Sequence, residues 1–214
     1  FGPEPCMQIY GRGIRRRLAP MLGDRRRQEL AWSLMFALPG APVIWYGDEI
    51  GMGDDLSLDQ RNSVRTPMQW SDDPNGGFST APADRLVRPV VSDGPYGYRE
   101  VNVESQRQDR GSLLNWVERL VRTRKETPEF GWGTCEVLDS GHPALLLHRS
   151  SWRGNAVVAV HNLSDRPAAL TLPGEAPLRV VLADGDEAGR LEPGETLALG
   201  PYGYRWLRED GVRR

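Results

Sequence analysis

The sequence predicts two parts of different class, an α/β segment followed by a small all-β domain. Three observations lead there: a helical pattern running directly into a short continuous apolar stretch, a long aperiodic connection, and then seven brief β-type runs separated by turn residues. Asp24 is placed to cap a helix over 25–38, in which Leu30, Ala31, Leu34, Met35 and Leu38 recur at helical spacing before Pro39-Gly40 stop it. With Trp32 and Phe36 added, its second half is apolar nearly all round and is expected to be deeply buried. Pro42-Val43-Ile44-Trp45-Tyr46, ended by Gly47, suits a strand buried on both faces in a parallel sheet. Residues 47–111 are rich in Gly, Pro, Asp and Asn, and a connection of that length is usually functional or disordered. Trp70, Phe78, Tyr96 and Tyr98 argue against disorder. Ser112 then caps a second helix, with Leu113, Leu114, Val117, Leu120 and Val121 on one face, ending before Pro128.

The runs 135–138, 144–148, 156–161, 168–172, 178–182, 196–199 and 204–207 read as a small antiparallel sandwich. The expected boundary lies at Phe130-Gly131, dividing the chain into 1–130 and 131–214, with a polar tail over 209–214.

With 214 residues, 39% hydrophobic and 26% charged, the chain can form one or two ordinary soluble domains. Lys and Arg total 27 against 29 Asp and Glu, a net charge of -2, so neither nucleic acid nor an acidic membrane surface is an expected partner. The clusters Arg15–Arg17 and Arg25–Arg27 read as solvated or salt-bridged faces of helical stretches. The longest apolar runs fall far short of the ~20 residues that span a bilayer. Cys6 and Cys135 cannot make a disulfide framework, which fits a reducing compartment, one long-range disulfide being the alternative. Phe1-Gly2-Pro3-Glu4-Pro5-Cys6 has neither an initiator Met nor a signal-peptide pattern and looks like the interior of a longer chain. His142, His148 and His161 lack a second ligand at metal spacing, and Asp54, Asp55 and Asp59 fit no complete calcium loop, so no metal site is expected.

The run Pro42-Val43-Ile44-Trp45-Tyr46-Gly47-Asp48-Glu49-Ile50-Gly51-Met52, followed by Arg65-Thr66-Pro67-Met68-Gln69-Trp70, resembles the last barrel strand and following loop of glycoside hydrolase family 13, the α-amylase superfamily. Tyr10-Gly11-Arg12-Gly13-Ile14-Arg15-Arg16-Arg17-Leu18-Ala19-Pro20, Gly51-Met52-Gly53-Asp54-Asp55 and Pro95-Tyr96-Gly97-Tyr98-Arg99-Glu100-Val101-Asn102-Val103 sharpen the resemblance toward trehalose synthases. It implies the C-terminal portion of a (β/α)8 TIM barrel, namely helix 7, strand 8, a long active-site loop and helix 8, followed by a C-terminal β-sandwich domain. It further implies a cytoplasmic parent enzyme that isomerises maltose to trehalose by retaining glucosyl transfer without an organic cofactor. A structural cation could sit in the missing barrel. The expected partners are the sugar substrate and the N-terminal barrel portion.

The resemblance places the nucleophile, acid/base and third carboxylate upstream of Phe1, so the chain alone is expected to be inactive. Its implied substrate-binding residues are Arg65, Glu49 and Asp48. Arg65 would pair with an upstream aspartate and help close the pocket, because a guanidinium holds a carboxylate in bidentate geometry. Asp48 and Glu49 would end the strand at the catalytic face, where neighbours on extended backbone point opposite ways, so one of them, Glu49, faces substrate. The four aromatics of the long connection could wall a sugar ring, but such residues more often form local core. Rival readings are an oligo-1,6-glucosidase or α-glucosidase, and a carbohydrate-binding β-domain using Trp132, Trp152 and Trp206.

Overall fold

The structure, a computed structural model, describes residues 14–172, 174, 176–185 and 189–209. Cys6, Tyr10-Gly11-Arg12-Gly13 and the tail beyond Glu209 lie outside the described residues. The chain packs as two compact units, one holding the described residues up to Gln28 with Val43–Glu118, the other Glu29–Pro42 with the chain from Arg119 onward.

The first unit begins with α1 (Leu18–Leu22), stopped by Gly23 at φ 80, and the start of α2 (Arg25–Ala37). Asp24 caps α2 as expected, its Oδ1 accepting the Arg27 backbone N–H at 3.0 Å. Residues 41–45 carry no secondary structure, so the expected strand is not formed: Val43 is 81% exposed, and Ile44, Trp45 and Tyr46 are exposed as well. A strand needs a ladder, and among the described residues this segment has no strand beside it. Arg15–Arg17 also depart from expectation, lying in non-helical chain before α1.

The long connection is ordered by side chains reaching backbone. Gln69 Nε2 donates to the carbonyls of Val101 (2.5 Å) and Tyr96 (3.2 Å), while the Asp55 N–H meets Ser63 O at 2.9 Å and closes a surface loop at its base. Asn102 caps α3 (Val103–Gln108) by accepting from Ser105 N–H at 2.8 Å. Gln106 of α3 bridges onward, donating to Ile50 O at 2.7 Å and accepting from Leu114 N–H at 3.0 Å. Ser112 caps α4 (Leu113–Lys125), accepting from Asn115 N–H at 3.2 Å. Ile50, Met52, Met68 and Val103 form the apolar centre, with Val101 and Leu114 against it.

Gly47 is a fixed point of this unit. Its φ is 87°, and a Cβ there would stand 2.3 Å from Sδ of the fully buried Met52. Gly47→Ala is expected to lower the urea midpoint by an amount worth about 1–3 kcal/mol, the cost of a left-handed backbone forced on a residue with a Cβ. An unchanged midpoint would contradict this.

In the second unit, α5 (Pro128–Trp132) leads into β1 (Thr134–Leu138), β2 (Leu145–Trp152), β3 (Asn155–Asn162), β4 (Ala168–Thr171), β5 (Leu178–Ala183), β6 (Arg190–Leu191), β7 (Thr196–Leu199) and β8 (Tyr204–Glu209). All pairings are antiparallel: a six-stranded sheet ordered β1-β2-β3-β8-β5-β6, and a two-stranded sheet β4-β7. Neither parallel strands nor a closed barrel occur among the described residues. The seven expected runs all appear, and the short β6 is the addition.

Leu147, Val158, Val160, Leu170, Leu199 and Leu207 join the two sheets through one apolar core. The other face of the large sheet is covered too. His148, His161 and Trp206 are each 0% exposed beside Ser33 and Ala37 of α2 and Phe130 of α5, so β3 is buried on both sides. Arg124 ends α2 here, donating to the carbonyls of Phe36, Leu38 and Gly40.

A polar thread runs through that second face. Trp206 Nε1–H donates to Ser33 Oγ at 3.0 Å, and Ser33 Oγ lies 3.0 Å from His161 Nε2. His148 Nε2 stands 3.2 Å from Ala37 O and therefore carries its proton there, since a carbonyl only accepts. The two imidazoles stack at 5.8 Å, 5° from parallel. Burial pushes both below the usual histidine range, His161 to about 3, with His148 beside it adding to the effect.

Trp206 is thus a core residue, edge-on to Phe130 at 4.9 Å, and Trp152 lies under the Arg153 guanidinium at 4.4 Å. Trp132 is 77% exposed and stands alone. The coplanar exposed pair that a carbohydrate-binding β-domain needs is not present among the described residues.

Candidate functional site

The residues singled out by sequence converge in the first unit around one buried cation, Arg17. Its side chain is fully buried and its guanidinium donates to Asp48 Oδ1 (3.0 Å), Tyr46 O (2.7 Å) and Val64 O (3.0 Å), with the Tyr46 ring centroid 5.1 Å away. Trp45 Nε1–H donates to the same Val64 carbonyl at 3.0 Å, and Tyr46 Oη–H donates to Thr66 O at 2.8 Å. The carbonyls of the residues on either side of Arg65, Val64 and Thr66, are therefore both held.

From this base Arg65 projects outward. It is exposed, its own N–H satisfied by Asn62 O at 3.0 Å, and among the described residues its guanidinium has no hydrogen bond or ion pair. It borders two clefts. The first, about 470 Å³, is also lined by Arg17, Trp45, Asp48 and Arg61; the second, about 580 Å³, by Tyr46, Glu49, Trp70, Phe78 and Arg85.

Asp48 and Glu49 occupy a 3-10 turn, Asp48–Ile50, rather than the extended backbone expected. Asp48 meets Arg17 and lines the first cleft, whereas Glu49 lines the second and a neighbouring one of about 520 Å³. Burial raises the Asp48 carboxyl above the usual carboxylate range; Arg17 opposes that shift without cancelling it, and Glu49 adds to it. Glu49 Oε2 is enclosed and has no hydrogen-bond partner among the described residues.

Of the four aromatics, Tyr98 (7% exposed) is local core and Tyr96 donates its hydroxyl to Ala19 O at 3.3 Å. Trp70 and Phe78 stay 48% and 50% exposed and share the second cleft. Sequence reasoning missed Arg17, which it took for a member of a solvated or salt-bridged cluster. Three adjacent arginines carry no local mark of which one is buried, and the acceptors of Arg17 lie 29 to 47 residues downstream. Asp54 is likewise engaged by the protein itself, accepting from Arg16 Nε (3.0 Å) and Arg17 N–H (2.8 Å).

A family model described as the α-amylase catalytic domain matches residues 15–133, and one for the sucrose hydrolase-like C-terminal domain matches 154–208. The trehalose synthase of Thermus thermophilus is 43% identical over 95% of this chain, and that of Pimelobacter sp. (strain R48) is 40% identical over 97%. The chain spans 22% and 38% of those two relatives. The trehalose synthase/amylase TreS of Mycolicibacterium smegmatis is 46% identical over 80% of this chain, which spans 30% of it. Among solved structures, the trehalulose synthase MutB from Pseudomonas mesoacidophila MX-45 superposes with a TM-score of 0.73 at 21% identity, over 90% of this chain and 41% of that one. That likeness concerns the fold.

Proposed function

Because the chain belongs to the α-amylase catalytic-domain family, we propose that it is the C-terminal part of an α-glucosyl enzyme that isomerises maltose to trehalose. The observation that carries this reading is the 40% to 46% identity to trehalose synthases over 80% or more of the chain. In this reading residues 1–130 complete a (β/α)8 barrel built mainly by an upstream portion, and 131–214 form the C-terminal β-domain. The exposed segment Val43–Tyr46 takes its place as a barrel strand only when that portion pairs with it.

The reaction proposed is retaining. An upstream carboxylate displaces the α-1,4-linked glucose while a carboxylic acid protonates the departing oxygen, leaving a glucosyl-enzyme and free glucose. The anomeric hydroxyl of that glucose then attacks the same carbon, gives its proton back to the carboxylate, and an α-1,1 bond forms with no net uptake of water. No organic cofactor enters, and the enzyme works in the cytoplasm.

This chain contributes the rim of the pocket. Arg65 clamps an upstream carboxylate or sugar hydroxyls from its doubly held base, Glu49 accepts from a hydroxyl, and Asp48 acts mainly by securing Arg17.

Incubating the purified chain with maltose, alone and with a separately produced upstream barrel portion, tests the proposal by product separation. Trehalose is expected from the mixture only. Glucose without trehalose would move the assignment to a hydrolase, and trehalose from the chain alone would overturn the claim that the catalytic carboxylates lie elsewhere.

A further inference from the structure

One face of the large sheet meets α2 through polar contacts that fall on a single stripe of the helix. Glu29, Ser33 and Ala37 are four residues apart in turn and so lie one above the other. Tyr204 Oη–H donates to Glu29 Oε2 at 3.1 Å. Ser33 Oγ takes the Trp206 indole N–H and bonds His161 Nε2, and His148 Nε2 reaches Ala37 O. The contacts pass from β8 through β3 to β2 as the helix advances, and Tyr204, Trp206, His161 and His148 are all buried. Ala37 O belongs to the last turn, where no helical N–H follows to take it.

The apolar residues of α2 do not fix its position along its own axis. A slip of four residues, about 6 Å at 1.5 Å per residue, puts Leu34 where Leu30 was and Phe36 where Trp32 was, apolar for apolar. A core that is merely apolar loses uniqueness before it loses stability. The polar stripe opposes the same move. Sliding Ala37 into the place of Ser33 leaves an indole N–H and an imidazole facing a methyl group, and sliding Glu29 there puts a carboxylate at a position that is 0% exposed.

We propose that this face of the sheet is a register lock for α2, in which Tyr204, Trp206, His161 and His148 fit the helix at one axial setting and penalise settings one turn away. Fixing register is the best-attested use of buried polar contacts. The lock gives the β-domain a task in the catalytic part: the α-amylase family model includes α2 in its match to residues 15–133, whereas α2 from Glu29 onward packs with the chain from Arg119 onward. The register of α2 decides where the chain leaves the second unit at Pro42, whichever sugar the parent enzyme transforms.

Distances between two spin labels on the full chain test the proposal. One label is carried by Ala31→Cys, on the side of α2 away from the stripe, and the other by Val137→Cys, with Cys6→Ser and Cys135→Ser to remove the native thiols. Val137 is 68% exposed and pairs with His148 from the strand beyond it, so the distance reports movement of α2 across the sheet. The labelled chain is expected to give one distance. Ser33→Ala should add a second, displaced by up to about 6 Å, and Ser33→Ala with Tyr204→Phe should raise that second population at least three-fold with unchanged helix content by circular dichroism. Ser150→Ala deletes an equally buried hydroxyl that has no hydrogen-bond partner among the described residues, and should keep the single distance. Two distances without any of these changes, one unchanged distance in Ser33→Ala, or the same second distance in Ser150→Ala overturns the proposal. If the double variant fails to fold, Ser33→Ala alone decides, because a role in stability only would lower its urea midpoint and leave the distance single.

Discussion

Replacing Arg17 by alanine is expected to destabilise the first unit by about 3–5 kcal/mol, the range found when one partner of a buried ion pair is removed. Three acceptors lose the Arg17 guanidinium at once: Asp48 Oδ1, Tyr46 O and Val64 O. Asp48 suffers most, because burial already lifts its carboxyl above the usual range and Arg17 is the charge that opposes the shift. Arg17→Lys should recover only a minor part, since one ammonium cannot reproduce a planar fork aimed at three acceptors. Urea unfolding of both variants measures this, and a midpoint within about 1 kcal/mol of the parent chain would show that the clamp contributes little. Val64 O then keeps only the Trp45 indole as its donor, so the base of Arg65 loosens.

Acid should weaken the second unit through His161. The imidazole is neutral in the fold, with its pKa pushed down to about 3, whereas the unfolded chain takes up a proton near 6.5. The unfolded state therefore binds more protons throughout the interval between those values, so stability is fully present above pH 6.5 and falls as the pH drops toward 3. For His161 alone the loss between pH 6.5 and 5 is about 1.5 kcal/mol, and His148, shifted the same way by burial, adds to it. Ordinary carboxylates titrate lower, which makes this window diagnostic. His161→Phe should remove much of the slope, while Ser33 Oγ keeps the Trp206 N–H as a partner. A pH-independent urea midpoint across this interval in the parent chain would refute the account.

The β-domain was legible in the sequence because its strands declare themselves locally. Ala168–Thr171 and Thr196–Leu199 alternate buried and exposed residues, and the turn residues between runs separate one strand from the next. The caps Asp24 and Ser112 were legible for the same reason, each answering to an N–H three residues on. Pro42–Tyr46 shows the limit. Its apolar content is local but strand character is a property of a pair, and the described residues hold no partner for it. β3 shows another, since nothing local says that helices cover the side of the sheet opposite β4 and β7. At the candidate site, motif resemblance pointed to Arg65, Glu49 and Asp48, but not to the clamp that secures them. That clamp joins residues 17, 45–46, 48 and 64–66, too far apart for any periodicity to register.

The surface loop closed at its base by Asp55 N–H and Ser63 O has a bearing on how such a chain can vary. Because Val64 and Thr66 are fastened from Arg17, Trp45 and Tyr46, the position of Arg65 does not depend on the path between Asp55 and Ser63. Insertions there would lengthen a loop whose ends are already joined, at a cost of about 0.6 kcal/mol per doubling. Descendants of one ancestral gene could therefore reshape the mouth of the first cleft, where Arg61 stands, while the guanidinium of Arg65 stays where it is.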